Sequence, residues 1–557
     1  MSTTVSRVRS AYARIEAVDR PEIWIDLRPQ AEAEAEAEAL DTRICAGERL
    51  PLAGRLLAVK GNIDVAGLPT TAGCPAYAYQ PAQDAPVVAR LRAAGAIVLG
   101  TTNLDQFATG LVGTRSPYGA VRGAHDPARI SGGSSSGSAV AVALGLVDLA
   151  LGTDTAGSGR VPAAFNGIVG LKPTRGLVPT AGVVPACASL DCVTVFARTL
   201  PEAEQALTFM TSPPARELPP LPQRTSGPWR VAVPSDLGDL GDLDEGWAQA
   251  YEAAVEQLAT AGAQLRTIDL TPFTEAAAML YEGAFVAERY TAMGAFVDKL
   301  MPEGGEGLDP TVTGIITRAR DIPAHRLFAD QALLATLHAR ALAELADADA
   351  LLLPTTPGHP TLAEVAANPL AANARLGRFT NSTNLFDLAA VAAPAGEVNG
   401  LPFGVMLIGR AFTDERLARI AGLLQPETRL AVVGAHLTGQ PLNPQLLSLG
   451  ARLDHTTTTA PAYRLHALST TPPKPGLVYA GKGGAAIETE IWRLPAEGLG
   501  RLLATLPRPM TLGSVELADG TRGPGFLCEP AALTNAEDIT SYGSWRSYLN
   551  RRAGQRP

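Results

Sequence analysis

The chain has 557 residues, of which 46% are hydrophobic and 18% are charged, and its formal net charge is -9. This balance is typical of a globular protein with a sizeable core, and the length exceeds that of one ordinary domain. A net negative charge argues against nucleic acid as a partner, because phosphate backbones require a basic surface. The five cysteines are scattered without a CxxC pair, which argues against a disulfide framework or zinc site and favours the reducing cytoplasm.

Apolar runs in this sequence stay short. The first twenty residues contain no run of signal-peptide length, and no later segment reaches the roughly 18 consecutive apolar residues of a membrane span. The seven histidines show no HExxH or similar ligand spacing. We therefore expect a soluble cytoplasmic protein that binds no membrane and holds no metal.

The first part of the chain predicts βαβ-like units. Ala31–Leu40 (AEAEAEAEAL) alternates like a strand but consists of strong helix formers, so we predict a solvated helix. A short apolar run then ends at Lys60 and breaks at Gly61, which is typical of a buried strand that enters a turn. Residues 84–103 predict a helix, a glycine turn and a second buried strand.

The stretch from Arg129 to Thr174 begins with RISGGSSSGSAVAVALGLVDLALGTDTAGSGR. Its serine- and glycine-rich start leads into a helix of small side chains that can pack closely on a sheet, and VDLALGTDT predicts another buried strand. Further strands are predicted within ALLLPTTPGHPT and LAAVAAPAG, after a helical region from Asp244 to Asp349. The pattern predicts an α/β fold with a mixed or parallel central sheet covered by helices.

Composition also suggests where the domains meet. The proline-rich stretch from Ser212 to Pro228 predicts a surface connector inside the large domain. A threonine run and a proline precede a new strand pattern at Tyr463. We therefore predict a large domain over residues 1–440, a linker over 441–462 and a small, β-rich α+β domain over 463–557.

Two familiar nucleotide and hydrolase motifs are incomplete. Gly476–Gly483 (GLVYAGKG) has the spacing of a phosphate loop, but Gly483 stands where the magnesium-binding hydroxyl is required, which indicates a chance match in a strand and turn. Ser158 lies in TAGSGR, so the GxSxG signature of the serine-histidine-aspartate hydrolases is missing.

The serine-rich stretch contains no histidine, so a nucleophilic serine there needs another base. Lys60, at the end of a predicted buried strand, is a candidate because burial or a neighbouring cation lowers the pKa of a lysine and a neutral amine can accept a proton. The glycine-rich turns would let backbone N–H groups face a ligand. A flexible serine-glycine loop is the alternative interpretation.

At these residues the sequence resembles the amidase signature family of serine hydrolases. The resemblance covers AVKGNIDVAGLPTTAG, TTNLDQFATGLVGTRSPYGA and the block from SGGSSSGS to VGLKPTRG. It implies a Ser/cis-Ser/Lys triad of Ser158 as nucleophile, Ser134 as proton relay after a cis peptide bond, and Lys60 as base. It also implies a buried ion pair of Asp154 and Arg160 beside the nucleophile. The implied oxyanion hole consists of the backbone N–H groups of Thr155, Ala156, Gly157 and Ser158.

Two further segments resemble the allophanate hydrolases within this family. Met279–Met293 (MLYEGAFVAERYTAM) is similar to their substrate-recognition segment, which assigns substrate binding to Tyr281 and Arg289. A guanidinium suits the carboxylate of allophanate, although the two side chains could instead share one helix face and pair with neighbours. The tail, including GGAAIETEIWRLPAEGLGRLL, resembles the C-terminal domain of these enzymes, whose fold is similar to γ-glutamylcyclotransferase-like proteins.

The resemblance therefore implies an enzyme that hydrolyses allophanate (urea-1-carboxylate) to ammonia and carbon dioxide through an acyl-enzyme on Ser158. It implies an amidase signature catalytic domain, a homodimer, and no metal or organic cofactor. It also implies a functional link to a biotin-dependent urea carboxylase or to cyanuric acid degradation. Two alternatives are an amidase of the same family with another small amide as substrate and a non-hydrolytic binding or assembly protein that retains the fold.

Overall fold

A computed structural model describes residues 3–213, 227–425 and 427–554. The chain divides into two compact units, Met1–Leu424 and Gln425–Pro557. Residues 214–226 of the predicted proline-rich connector lie outside the described part. Within that part, no helix combines the length and the apolar character needed to cross a membrane.

This division corrects the predicted boundary at 441–462. The strand Glu427–Val432, interpreted from the sequence as the end of the large domain, pairs with Glu488–Pro495 of the second unit. The predicted linker contains most of the strand Arg452–Thr458, which pairs with the other edge of Glu488–Pro495. A short apolar run shows that a strand forms but not which sheet it joins, and the boundary was misplaced for that reason.

The first unit is built on one large mixed sheet, with eleven strands among the described residues. In chain order these strands are β1 Trp24–Leu27, β2 Leu56–Lys60, β3 Ile97–Thr102, β4 Leu149–Asp154, β5 Val169–Lys172, β6 Cys192–Ala197, β7 Arg230–Pro234, β8 Gln264–Ile268, β9 Ala350–Pro354, β10 Ala389–Val398 and β11 Leu401–Gly409. Their spatial order is β1-β3-β2-β4-β6-β5-β10-β11-β9-β7-β8. Strands β3, β2 and β4 are mutually parallel, as are β9, β7 and β8, and the strands between them are antiparallel.

Helices cover both faces of this sheet. They are α1 Thr4–Val18, α2 Gln30–Cys45, α3 Pro86–Ala93, α4 Ser136–Ala143, α5 Arg160–Phe165, α6 Leu200–Met210, α7 Trp247–Thr260, α8 Thr271–Glu282, α9 Ala287–Leu300, α10 Pro310–Arg318, α11 Ala324–Leu345, α12 Leu362–Ala367, α13 Pro369–Leu376, α14 Ser382–Leu385 and α15 Asp414–Ala421. On β2, Leu57 and Val59 join the apolar cluster that includes α3 and α6. Leu56 joins the cluster on the other face with α1 and α4. The predicted α/β fold with a mixed, helix-covered sheet is confirmed.

Helix α2 contains the alternating Ala-Glu run and confirms the helix prediction, because propensity outweighs the period of two. The helix is not solvated all round. Ala33, Ala37 and Leu40 are buried at helical spacing and pack in the cluster that contains α1. The small alanine side chains allow the close approach of the two helices.

The second unit contains a five-stranded sheet, in the order β13-β16-β12-β18-β17, and a three-stranded sheet, in the order β15-β14-β19, among its described residues. Its strands are β12 Glu427–Val432, β13 Arg452–Thr458, β14 Tyr463–Leu468, β15 Lys474–Tyr479, β16 Glu488–Pro495, β17 Met510–Glu516, β18 Arg522–Cys528 and β19 Glu537–Asp538, and its helices are α16 Asn443–Ser448, α17 Ala496–Thr505 and α18 Trp545–Gly554. The phosphate-loop look-alike is the end of β15 and the turn after it. The β-rich α+β prediction is confirmed, and the similarity to γ-glutamylcyclotransferase-like folds stays a prediction.

Candidate active site

Lys60 is the last residue of β2, and its side chain is completely buried. Lys60 Nζ donates hydrogen bonds to Ser134 Oγ at 2.8 Å and to Thr153 Oγ1 at 2.7 Å. The carboxyl ends of the parallel strands β2 and β4 meet at one edge of the sheet, which brings Lys60 and Thr153 together. The structure therefore places the predicted base beside the predicted relay.

Burial lowers the pKa of Lys60 to about 7, because the charged ammonium loses its hydration in the core. The carboxylates of Asp105, Asp191 and Asp154 act in the opposite direction, and the Arg289 guanidinium lowers the pKa further. A large fraction of Lys60 is therefore neutral near pH 7, as general-base chemistry requires.

Ser134 follows a cis peptide bond from Gly133 and is completely buried. Its backbone carbonyl accepts the N–H of Asp105 at 3.2 Å. A Cβ on Gly133 would lie 2.1 Å from Asp105 Oδ2, so this position admits only glycine. The cis bond implied by the family resemblance is present at the expected residue.

Ser158 lies in the turn between β4 and α5 and is 2% exposed. Its hydroxyl donates to the carbonyl of Gly110 at 3.4 Å, and its own carbonyl accepts the N–H of Ser135 at 3.3 Å. Within the described residues the Ser158 and Ser134 hydroxyls share no hydrogen bond in this conformation. The structure brings both serines to one turn-lined site without closing the relay between them.

The turn over Thr155–Ser158 carries the predicted oxyanion donors. Among the described residues, the backbone N–H groups of Ala156, Gly157 and Ser158 have no hydrogen-bond acceptor. Gly157 has φ +143°, and a Cβ there would lie 2.4 Å from Thr380 Oγ1. Glycine is therefore required next to Ser158, and the free N–H groups are available to an oxyanion.

The predicted ion pair of Asp154 and Arg160 is confirmed, and both side chains are completely buried. Arg160 Nε and Nη2 donate to the two Asp154 carboxylate oxygens, each at 2.9 Å. Burial alone would raise the pKa of Asp154, but the Arg160 guanidinium holds it below its usual range. The bidentate pair fixes both ends of the nucleophile turn.

The segment from Thr380 to Asn384 supports this turn and was missed by the sequence prediction. Asn384 Nδ2 donates to the carbonyls of Asp154 at 2.7 Å and Thr155 at 2.9 Å. Thr383 Oγ1 accepts a hydrogen bond from Arg160 Nη1 at 2.8 Å. Thr153, the second partner of Lys60, was also missed. Nothing in the local sequence signals these contacts for Thr383 and Asn384, which lie more than 220 residues from the turn.

Tyr281 and Arg289 lie on two helices, α8 and α9, separated by a 3-10 turn that begins after Gly283. The alternative of one helix face shared by both residues is therefore wrong. The turn still brings them together, with Arg289 Nη2 donating to Tyr281 Oη at 3.0 Å. Arg289 Nη1 donates to Thr109 Oγ1 at 2.8 Å.

The Arg289 side chain is deeply buried, with the residue 2% exposed. Among the described residues, no carboxylate oxygen lies within salt-bridge distance of its guanidinium, and its Nε has no hydrogen-bond partner. A buried charge without a counter-charge is costly, and such groups are normally paired. The arrangement fits a site for an anionic ligand.

The apolar cluster around the site joins Ala156 of the nucleophile turn with Tyr281 and Leu280 of α8. The guanidinium site and the nucleophile turn are therefore neighbours. No group of three or more His, Cys, Asp or Glu side chains in the described ranges is arranged to hold a metal ion.

Residues 7–418 match the Amidase family. The chain belongs to this family. Residues 428–550 match the Allophanate hydrolase C-terminal domain. The amidase match accounts for the first unit and for the serine, lysine and glycine positions described above, and the second match accounts for nearly all of the second unit.

Several relatives of the chain have informative names. The urea amidolyase of Lachancea kluyveri is 43% identical over 95% of the chain, and the chain spans 31% of that longer protein. The structure of allophanate hydrolase from Kluyveromyces lactis is 40% identical with a TM-score of 0.70, and covers 99% of this chain and 97% of its own. One component of the glutamyl-tRNA(Gln) amidotransferase of Symbiobacterium thermophilum is 36% identical, over 77% of this chain and 94% of its own.

Proposed function

We propose that this amidase hydrolyses allophanate, with final products ammonia and carbon dioxide, through an acyl-enzyme on Ser158. The buried Arg289 guanidinium, which lacks a carboxylate partner among the described residues, carries this proposal. Allophanate has an amide to be cleaved and a carboxylate that a guanidinium can bind through two parallel hydrogen bonds. The likeness over nearly the full length to the Kluyveromyces lactis allophanate hydrolase supports the same substrate.

In the first step Ser158 Oγ attacks the carbonyl carbon of the terminal amide. Its proton passes to Ser134 Oγ as the Ser134 proton passes to the neutral amine of Lys60, so that the charge ends on Lys60. The carbonyl oxygen becomes an oxyanion at the N–H groups of the turn. A small rotation of the Ser158 hydroxyl away from the Gly110 carbonyl would close the relay.

In the second step the tetrahedral intermediate collapses. The C–N bond breaks, and the proton on Lys60 returns through Ser134 to the leaving nitrogen, which departs as ammonia. Water then attacks the acyl carbon with the same groups as base, and Ser158 is released with N-carboxycarbamate as product. Decay of that product gives carbon dioxide and further ammonia.

We further propose that the enzyme acts in the cytoplasm as a homodimer, on allophanate supplied by a biotin-dependent urea carboxylase or by cyanuric acid degradation. The five cysteines are all free, which is consistent with a reducing compartment. The chain matches less than a third of the Lachancea kluyveri urea amidolyase, which leaves room in that protein for a further activity on urea.

The test is ammonia release by the purified chain from allophanate and from biuret, a neutral analogue in which an amide replaces the carboxylate. We expect allophanate turnover that is abolished in Ser158→Ala and Lys60→Ala. Ser136→Ala is the matched control, because Ser136 is a buried serine of α4 that binds the carbonyl of Asn103. Turnover of biuret without turnover of allophanate would contradict the proposed substrate. Turnover by Ser158→Ala would contradict the proposed nucleophile.

A further inference from the structure

Thr380 is a buried residue whose side chain lies against the nucleophile turn. It is completely buried, and its hydroxyl has no hydrogen-bond partner among the described residues. The position that a Cβ of Gly157 would occupy lies 2.4 Å from Thr380 Oγ1. The hydroxyl is therefore directed at the backbone that immediately precedes Ser158.

The backbone around Thr380 is satisfied, so the free hydroxyl is specific to the side chain. The N–H of Thr380 donates to the carbonyl of Gly377, and its own carbonyl accepts the N–H of Thr383. Threonines in helical turns commonly bond a carbonyl three or four residues earlier, and Thr380 does not. A buried hydroxyl without a partner is unfavourable, and valine has the same shape without that cost. Packing alone therefore does not account for threonine at this position.

Thr380 also lies between the two parts of the proposed substrate site. On one side is Gly157 of the nucleophile turn. The next residue, Asn381, donates its side-chain amide to the carbonyl of Ala277 on α8 at 3.3 Å. Helix α8 also carries Tyr281, the hydrogen-bond partner of Arg289. The hydroxyl is thus placed near the path between the acyl carbon and the guanidinium.

We propose that Thr380 is a further substrate-contacting residue whose hydroxyl hydrogen-bonds the acyl part of the substrate held on Ser158. This inference rests on the proposed function. The acyl part of allophanate has a carbonyl oxygen, an N–H group and a carboxylate, and a threonine hydroxyl can both donate and accept. The contact would orient the acyl group between Ser158 and Arg289.

The experiment compares kcat/KM for allophanate in Thr380→Val and Thr380→Ser. We expect a loss of about tenfold or more in the valine variant, because a polar group of the substrate loses its partner, and near-normal values in the serine variant. Thr313→Val is the matched control, since Thr313 on α10 is another buried threonine with an unpartnered hydroxyl. The melting temperature of Thr380→Val should equal or exceed that of the wild type.

Labelling of Ser158 by a fluorophosphonate probe separates substrate contact from support of the turn. The probe lacks the N–H and carboxylate of allophanate, so its labelling rate should be nearly unchanged in Thr380→Val. A labelling rate that falls in parallel with kcat/KM would overturn substrate contact, and so would a valine variant with normal kcat/KM. A wild type that is labelled but releases no ammonia from allophanate would overturn the proposed function and this inference with it.

Discussion

Thr153 Oγ1 accepts a hydrogen bond from Lys60 Nζ at 2.7 Å, and the Ser134 hydroxyl lies 2.8 Å from the same nitrogen. A neutral amine has two N–H donors and one lone pair. If one N–H is held by Thr153, the lone pair is free to face Ser134 and accept its proton. Thr153 is therefore a positioning residue for the base, and it acts through Lys60.

Thr153→Val should lower kcat for allophanate about tenfold, because the amine is no longer held in one orientation for proton transfer. Thr153→Ser should retain most of the activity, since the hydroxyl remains. Thr101→Val is the matched control, because Thr101 is a buried strand threonine whose hydroxyl has no partner among the described residues. Steady-state kinetics of ammonia release measures the effect, and a normal kcat in Thr153→Val would contradict it.

The pH dependence of kcat/KM should report the titration of Lys60. Its pKa is lowered to about 7, and only the neutral amine accepts a proton. Activity should therefore rise about tenfold per pH unit below that value and level off above it. Lys60→Arg should be inactive at every pH, because a guanidinium stays protonated. A wild-type profile that is flat from pH 5 to 9 would show that no such base operates.

The sequence predicted the parts of the site that lie on its own strands and turns. β2 and β4 are continuous apolar runs, and their ends at Lys60 and Asp154 follow directly from that pattern. The cis bond before Ser134 and the roles of both serines came from the family resemblance alone. Local periodicity places elements, and chemical roles require a motif.

The contributions of distant segments were not predictable in the same way. Asn384 and Thr380 reach the nucleophile turn because β10 follows them into the centre of the sheet, beside β5. Nothing near Asn384 in the sequence indicates that pairing. The domain boundary failed for a related reason, since β12 has the same apolar character as the strands of the first sheet and belongs to the second unit.

Tyr281→Phe should raise KM for allophanate several-fold and change kcat little. The phenol oxygen accepts a hydrogen bond from Arg289, and its loss leaves the guanidinium less well oriented for a carboxylate. Turnover of any neutral amide that the enzyme accepts should be unaffected. Tyr290→Phe is the control, because the Tyr290 hydroxyl donates to Asp298 and not to Arg289. Equal effects on charged and neutral substrates would contradict a role in carboxylate binding.

Asn384→Leu should slow both allophanate turnover and fluorophosphonate labelling of Ser158. The side-chain amide holds the carbonyls of Asp154 and Thr155, so its loss leaves two carbonyls unpaired and the turn less fixed. We expect a reduction in kcat of about tenfold to a hundredfold, as for the loss of an oxyanion donor. Asn443→Leu is the control for a buried asparagine that binds a backbone carbonyl, that of His436, in the second unit. Unchanged labelling would show that Asn384 does not support the turn.

Asp154→Asn should be strongly destabilising, because it leaves the Arg160 guanidinium buried without a counter-charge. Breaking a buried pair in this way costs about 3–5 kcal/mol, whereas an exposed pair contributes about 0–1 kcal/mol. Glu415→Gln, which breaks the exposed pair with Arg419, is therefore the matched control and should melt like the wild type. Asp154 also accepts the N–H of Gly159 at 3.1 Å, so the variant should lose Ser158 labelling even at temperatures where it remains folded. Differential scanning calorimetry with labelling at a low temperature separates these effects. An Asp154→Asn variant that melts like Glu415→Gln would show that the pair does not hold the turn.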